Sequence, residues 1–295
     1  MKVVECRNVK KVFHRTNALE DVSFELSDRK ITGLIGRNGA GKTTLLKILS
    51  GFTSHSSGEV RVFDRSPYND LLVSANSILV DDQMTFPDTL NLEEILNMAP
   101  AFYKKWDGEL AKRLMDYFKL NPKLNHSSLS KGTAATFNLI FGLSTRCELT
   151  LLDEPMNGMD EAVRSDFYRA LLKDYIAHPR SILISSHHLA EIEHLLEDIL
   201  LVHQGRMVLH QPLDEIREYA VGLQGNATDI ERWTQGEEVY FSKQLDHQRK
   251  YVVVKYNSSI EKARTEGAML EALSASDVCM YVTSETKEGI DDVFK

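Results

Sequence analysis

The stretch ITGLIGRNGAGKTTLLKILSG occupies residues 31–51 and decides the fold of this chain. Its first part, ITGLIG, is a short apolar run that ends in glycine, which is typical of a buried strand. The glycines then stop, and Leu45, Leu46, Ile48 and Leu49 follow at helical spacing. The stretch therefore predicts a strand, a glycine-rich loop and a helix in direct succession.

The loop inside this stretch has the pattern of a phosphate-binding site. Residues 36–43 match GxxxxGK[ST], in which glycines allow backbone N–H groups to surround phosphates at the start of a helix. Lys42 would supply charge to the β and γ phosphates, and Thr43 would supply a hydroxyl to Mg²⁺. We therefore expect nucleotide phosphates and Mg²⁺ as ligands. The predicted nucleotide-contacting residues of this segment are Gly36, Asn38, Gly39, Gly41, Lys42, Thr43 and Thr44.

A second motif lies about 110 residues further on, where the run LTLLDE at 149–154 is an apolar strand ending in two carboxylates. Asp153 is placed to hold Mg²⁺, and Glu154 is placed to orient or deprotonate the water that attacks a phosphate. Paired with the glycine-rich loop, these two residues predict nucleotide hydrolysis, with Glu154 as a catalytic residue.

Elsewhere the chain alternates between strand and helix patterns. Residues 3–13 and 18–26 read as strands, and apolar residues at helical spacing within about 92–146 predict a helical insertion. After the second motif we expect a helix near 162–176, a strand at 181–186, a helix at 188–198 and a strand at 199–205. This rhythm predicts a parallel sheet covered by helices.

The residues after about 215 carry no phosphate motif. Two strand patterns, at 237–243 and 249–257, precede a helix pattern at 260–275. We therefore expect a small appended α/β domain.

Composition and charge narrow the class of protein. The 295 residues are 42% hydrophobic and 26% charged, as in ordinary globular chains. The net charge is −8, with acidic residues concentrated in the second half, which argues against a nucleic-acid surface. Three widely spaced cysteines predict neither disulfides nor zinc and fit a reducing cytoplasm. The sequence also shows no signal peptide and no membrane span, so we expect any membrane association to go through a partner.

With these motifs in this order, the chain resembles the ATP-binding cassette (ABC) family over roughly residues 1–215. The resemblance implies an α/β fold of the P-loop NTPase class, with a RecA-like parallel core sheet, an antiparallel β subdomain and a helical subdomain at about 83–146. Residues 216–295 would form the small C-terminal α/β domain. The resemblance also implies an ATPase.

The resemblance assigns further site residues. His187, which directly follows the strand and the Ser-Ser pair, resembles the switch histidine that contacts the γ-phosphate, and is preferred to His188. Asp160 closes a segment, 157–160, that resembles the D-loop touching the opposite subunit. Phe13 lies where the family places an aromatic ring against adenine, and a flat ring suffices for stacking.

Two places depart from the family pattern. Residues 129–133 read LSKGT where the signature LSGGQ stands, so Ser130 and Gly132 are kept and Lys131 is added. At the Q-loop, which supplies a metal ligand, Asp82 falls at the expected position and Gln83 one step beyond it. Either residue could be the ligand.

The resemblance implies that ATP is held between two cassettes, in a homodimer or a heterodimer, and that a separate transmembrane permease subunit docks at the helical insertion. We expect a motor subunit on the inner face of the cell membrane, of the antibiotic- and lantibiotic-exporter branch, with no nucleic-acid partner. A soluble single cassette that serves an assembly scaffold is the alternative. A P-loop kinase or GTPase would lack the ordered series of motifs.

Overall fold

A computed structural model describes residues 2–284 of the chain. The chain divides into two compact units. The first comprises Met1–His187 and His194–His210, and the second comprises His188–Glu193 and Gln211–Lys295. The predicted functional boundary near residue 215 stays a prediction.

The first unit contains the strands and helices expected of a layered α/β domain. They are β1 (Lys2–Phe13), β2 (Thr16–Ser27), β3 (Ile31–Ile35), α1 (Lys42–Leu49), β4 (Ser57–Val62), α2 (Leu71–Asn76), β5 (Ser77–Val80), α3 (Leu92–Met98), α4 (Gly108–Tyr117), α5 (Lys131–Thr145), β6 (Leu149–Asp153), α6 (Glu161–Ala177), β7 (Ser181–Ser186), β8 (Asp198–His203) and β9 (Arg206–Pro212).

The central sheet has the strand order β5-β6-β7-β3-β8-β9. Its first five strands pair in parallel. Strands β3, β6 and β7 are buried along their whole length, which explains their continuous apolar sequences. Because parallel strands all end at one edge, the loops after β3, β5, β6 and β7 meet there.

A second, antiparallel sheet with the order β2-β1-β4 provides the predicted β subdomain. Its apolar side chains share one core with α1 and with the central sheet, among them Val4, Val22, Leu45, Leu49 and Leu151. The P-loop helix is therefore fixed between two sheets.

The helical insertion consists of α3, α4 and the long helix α5. A capping box between Asn91 and Glu94 starts α3, and the Asp107 carboxylate starts α4 by accepting from Leu110 N at 2.8 Å. The helical pattern that runs on to residue 106 is interrupted: α3 ends at Met98 and a 3₁₀ turn containing Pro100 follows. The proline has no N–H to continue the helix.

The second unit has its own core. It contains α7 (Leu189–Ile192), α8 (Leu213–Arg217), β10 (Ala220–Asn226), α9 (Ala227–Trp233), β11 (Val239–Gln244), β12 (Arg249–Lys255), α10 (Ser258–Thr265), β13 (Met269–Ala272) and α11 (Ala275–Val282). The antiparallel sheet β11-β12-β10-β13 and the order β-α-β-β-α-β are those of ferredoxin-like folds. Leu223, Val252 and Val254 pack there against Ile230 and Ile260.

Two helix predictions are wrong in part. The pattern at 260–275 forms a helix only as far as Thr265, because Gly267 has a φ of +104° and ends it, and β13 then pairs with β10. The pattern at 188–198 forms the four-residue helix α7 and a 3₁₀ turn, and Asp198 already belongs to β8.

No helix among residues 2–284 combines the length and the apolar character that crossing a bilayer requires.

Candidate functional site

The predicted site lies at the carboxyl edge of the central sheet, and strand register brings its parts together. Ile35 at the end of β3 pairs with Ser186 on β7, and Asp153 at the end of β6 pairs with Ser185. The residues that follow these positions, Gly36, Glu154 and His187, therefore leave the sheet side by side.

The glycine-rich loop needs two of its glycines for close packing. A Cβ on Gly36 would lie 2.3 Å from the Val202 carbonyl oxygen, and one on Gly41 would lie 2.6 Å from that of Ala18. Gly41 also has a φ of +104°, a region that side chains disfavour. Helix α1 begins at the next residue, Lys42, so its first N–H groups face the loop.

Lys42 is held under this loop. Its side chain is only 5% exposed, and its ammonium group donates to the Gly36 carbonyl oxygen at 2.6 Å. The same nitrogen lies 3.1 Å from Glu154 Oε1, in an ion pair outside hydrogen-bond geometry. The two residues predicted to act on the γ-phosphate are thus already neighbours.

The Ser185 hydroxyl ties the two carboxylates of the second motif to β7. It donates to Asp153 Oδ1 at 2.5 Å and accepts from the Glu154 backbone N–H at 2.8 Å. Glu154 Oε2 lies 2.8 Å from His187 Nδ1, and since a carboxylate only accepts, the proton sits on Nδ1. Glu154 therefore stands between a lysine and a histidine.

Glu154 has a left-handed backbone, with a φ of +45°. For a residue other than glycine this costs on the order of 1–3 kcal/mol, and such strain concentrates at functional sites. The conformation turns the chain sharply away from β6 into the loop that leads to Asp160.

The donor set fits a Mg-nucleotide. Backbone N–H groups at a helix start and a lysine suit phosphate, and Thr43 is exposed at the first turn of α1. The Asp153 carboxylate and the Thr43 hydroxyl are oxygen ligands of the kind that Mg²⁺ prefers. Gly39 faces open space, with a φ of +81°.

The loop after β5 contains a residue that sequence reasoning missed. Val80 pairs with Leu152, so Asp81 follows β5 where Asp153 ends β6. Partial burial raises the pKa of Asp81, and the charges of Asp153 and Asp82 raise it further. Asp82 and Gln83 are exposed, and Gln83 Oε1 accepts from Lys47 Nζ at 2.9 Å. Which of the two serves as the metal ligand stays a prediction. The sequence signal that could have pointed to Asp81 is its position directly after the apolar strand β5.

The signature and D-loop segments lie next to each other. Ser130 caps α5 by accepting from Thr133 N at 3.3 Å, and Asp160 caps α6 by accepting from Val163 N at 2.9 Å. A Cβ on Gly132 would lie 2.9 Å from the Gly158 carbonyl oxygen. The Lys131 side chain lies along Gly158. A Cβ placed on Gly158 would be 3.8 Å from the Cγ and Cδ carbons of Lys131.

Phe13 ends β1 with an exposed ring, and Lys11 Nζ lies 4.6 Å from the ring centre. The ring is available for stacking, and its role at adenine stays a prediction. The structure therefore brings Lys42, Asp153, Glu154 and His187 together. Phe13 lies apart from them at the end of β1, and Ser130 and Asp160 are the N-cap residues of α5 and α6.

The parallel sheet, the phosphate loop and the paired carboxylates define a P-loop nucleotide hydrolase. Comparison with known proteins narrows this class. Residues 19–157 match the family model described as ABC transporter. The chain therefore carries an ATP-binding domain of the ABC transporter family.

Two relatives agree with this assignment, and a solved structure shares the fold. The chain is 28% identical to the ABC transporter ATP-binding protein YtrB of Bacillus subtilis, over 75% of this chain and 76% of that protein. It is 28% identical to the lantibiotic transport ATP-binding protein SrtF of Streptococcus pyogenes, over 72% of this chain and 92% of that protein. A dimeric cassette, MJ0796, solved bound to ADP and Pi, matches with a TM-score of 0.63 and 18% identity, over 71% of this chain and 98% of that chain.

The predicted family, the α/β P-loop fold class and the ATPase class are thereby confirmed. The roles of individual site residues stay predictions.

Proposed function

We propose that this chain is the ATP-hydrolysing subunit of an exporter and that it transmits ATP-driven dimer closure to a separate transmembrane subunit. The observation that carries the catalytic part is the position of Glu154, which lies 3.1 Å from Lys42 Nζ and 2.8 Å from His187 Nδ1.

In the proposed reaction, Glu154 orients a water molecule and accepts its proton as the water oxygen attacks the γ-phosphorus, and ADP leaves. Lys42 moves from the Gly36 carbonyl to the β and γ phosphates, because an anionic phosphate is the stronger partner for an ammonium group. His187 holds Glu154 and contacts the γ-phosphate. Mg²⁺, held by Thr43, Asp153 and a Q-loop residue, would neutralise phosphate charge.

In the proposed dimer, Ser130 and Gly132 of one cassette face the ATP that is bound to the other. The position of Ser130 at the N-terminus of α5 supports this arrangement, because the first N–H groups of a helix attract anions such as a phosphate. Loss of the γ-phosphate would remove these contacts and let the subunits part.

The proposed docking site of the transmembrane subunit is a cleft of about 1250 Å³ between the helical insertion and the central sheet. Its walls include the exposed apolar side chains of Phe52, Leu71, Met98 and Phe102. Asp70 and Asp81 also line it. A segment with apolar anchors would complement this surface, since exposed apolar patches of this kind mark interaction sites.

The name of the relative SrtF supports export within the lantibiotic branch, and the family match supports a membrane partner. We place the chain on the cytoplasmic face of the membrane through that partner.

The test of the catalytic proposal is the Glu154→Gln variant. We expect its ATP turnover to fall by roughly 100-fold or more, because the amide cannot accept the proton, while ATP still binds. The exposed Glu161→Gln change is the matched control and should leave turnover unchanged. Parent-like hydrolysis by the Glu154→Gln variant would refute the assignment of the base.

A further inference from the structure

A buried amide on the signature helix connects two loops of the site. Asn138 lies on α5 and is 3% exposed. Its Nδ2 donates to the Met84 carbonyl oxygen at 3.4 Å, and its Oδ1 lies 2.8 Å from His126 Nε2. Because the amide oxygen accepts, His126 donates from Nε2.

The two partners of Asn138 belong to functional segments. Met84 directly follows Gln83 in the loop after β5, and His126 begins the 3₁₀ turn that leads into Ser130. One side chain therefore links the loop beside Asp153 to the signature loop.

An aromatic cluster encloses this link. The ring of Phe86 contacts those of His126, Phe137 and Phe141 edge-on, at centroid distances of 5.1, 5.5 and 5.0 Å. In such surroundings few other polar partners are at hand, so losing one hydrogen-bonding group leaves the other unsatisfied. The two loops are thus held in one arrangement.

The link continues to the P-loop helix. Lys47 on α1 donates from Nζ to Gln83 Oε1 at 2.9 Å. Contacts therefore run from the helix that begins at Lys42, through Gln83 and Met84, to Asn138 and the signature loop.

We propose that Asn138, together with His126, is a positioning residue that sets the signature loop according to the position of the Gln83 loop. The inference rests on the proposed function, since the signature loop acts on the ATP held by a second subunit. The two hydrogen bonds of Asn138 involve no residue of the phosphate loop 36–44, so we expect ATP to bind without them. Loss of these bonds therefore lowers turnover without lowering ATP affinity.

The first variant is Asn138→Leu, which keeps the side-chain size and removes both hydrogen bonds. We expect kcat for ATP hydrolysis to fall about tenfold, because two hydrogen bonds are lost, while the Kd for a fluorescent ATP analogue changes less than about twofold. Ser144→Ala, at a fully buried position on the same helix, is the matched control and keeps the parent kcat.

The second variant, Asn138→Asp, keeps an acceptor for His126 and loses the donor to the Met84 carbonyl. We expect the same loss of kcat in this variant if the hydrogen bond to the Gln83 loop is responsible. Asn138→Asp also replaces Asn138→Leu as the test if the leucine variant does not fold. Parent-like kcat in either folded variant would overturn the inference. So would a loss of ATP affinity in step with kcat, because that pattern belongs to a merely structural role.

Failure of the proposed function is visible separately. It would appear as absent hydrolysis in the parent chain, before any variant is compared, and the inference would then fall with it.

Discussion

At the scale of single residues, charge and close packing set the chemistry. Lys42 and Glu154 form an ion pair, and His187 Nδ1 lies 2.8 Å from Glu154 Oε2. Lys42, Asp153 and Glu154 were predicted from the glycine-rich loop and from the carboxylates at the end of an apolar strand, and His187 from the resemblance to the ABC family. Asn138 was not, since its partners are 12 and 54 residues away and only the folded chain brings them together.

Lys131 is the departure from the signature that can be tested most simply. Its side chain lies along Gly158, so the Lys131→Gly change removes both a positive charge and a contact with the D-loop segment. We expect the Kd for ATP to stay unchanged, because the residue is on another loop from the P-loop, and turnover to change by roughly threefold or more.

Steady-state ATPase assays of the parent and the Lys131→Gly chains measure the change in kcat. An unchanged kcat would leave Lys131 as an ordinary surface residue. The exposed Lys119→Gly change at a position with positive φ, outside the site, controls for the loss of a lysine.

At the scale of elements, buried and partly buried ion pairs link the end of the helical insertion to helix α6. Arg146, at the end of α5, lies 2.7 Å from Asp107 before α4 and 3.1 Å from Asp174 on α6. Asp174 also pairs with Arg180 at 2.8 Å, and both of these side chains are at most 5% exposed. The pairs of Arg146 could not be read from the sequence, because Asp107 and Asp174 are far from it along the chain.

Removing the shared carboxylate leaves the buried Arg180 without its charge partner and leaves Arg146 paired with Asp107 alone. We expect Asp174→Asn to lower the free energy of unfolding by about 3 kcal/mol, as for other broken buried pairs. Urea denaturation with a probe in the first unit measures the change.

The exposed pair of Lys123 and Glu93 offers the control, and Glu93→Gln should leave the urea midpoint where it is. Equal midpoints for the Asp174 and Glu93 variants would contradict a fastening role for the buried network.

The elements also show where periodicity misled the prediction. Residues 260–275 have helical spacing throughout, yet Gly267 and pairing with β10 convert the second half into β13. Tertiary pairing outweighed local propensity here. By contrast, β3, β6, β7 and β8 of the central sheet were predicted from short apolar runs, whereas the edge strands β5 and β9 were not.

At the scale of the whole molecule, the account joins ATP hydrolysis to a membrane partner through the cleft that Phe102 and Leu71 line. We expect Leu71→Ser and Phe102→Ser to weaken binding of the chain to membranes that contain its transmembrane subunit by roughly tenfold, as for anchor residues elsewhere. Sedimentation of membranes with tagged chain measures the bound fraction.

Ile176→Ser is the matched control for this experiment, because Ile176 is 69% exposed on α6 and does not line the cleft. Equal losses for all three variants would point to general surface hydrophobicity and against a docking site.

Light scattering of the purified Glu154→Gln chain, with and without Mg-ATP, shows whether two copies of the chain close around ATP. We expect a shift from monomer to dimer on addition of Mg-ATP, and no shift when Lys42→Ala is added to the same chain. A chain that binds Mg-ATP and stays monomeric would contradict closure of two equivalent cassettes around ATP.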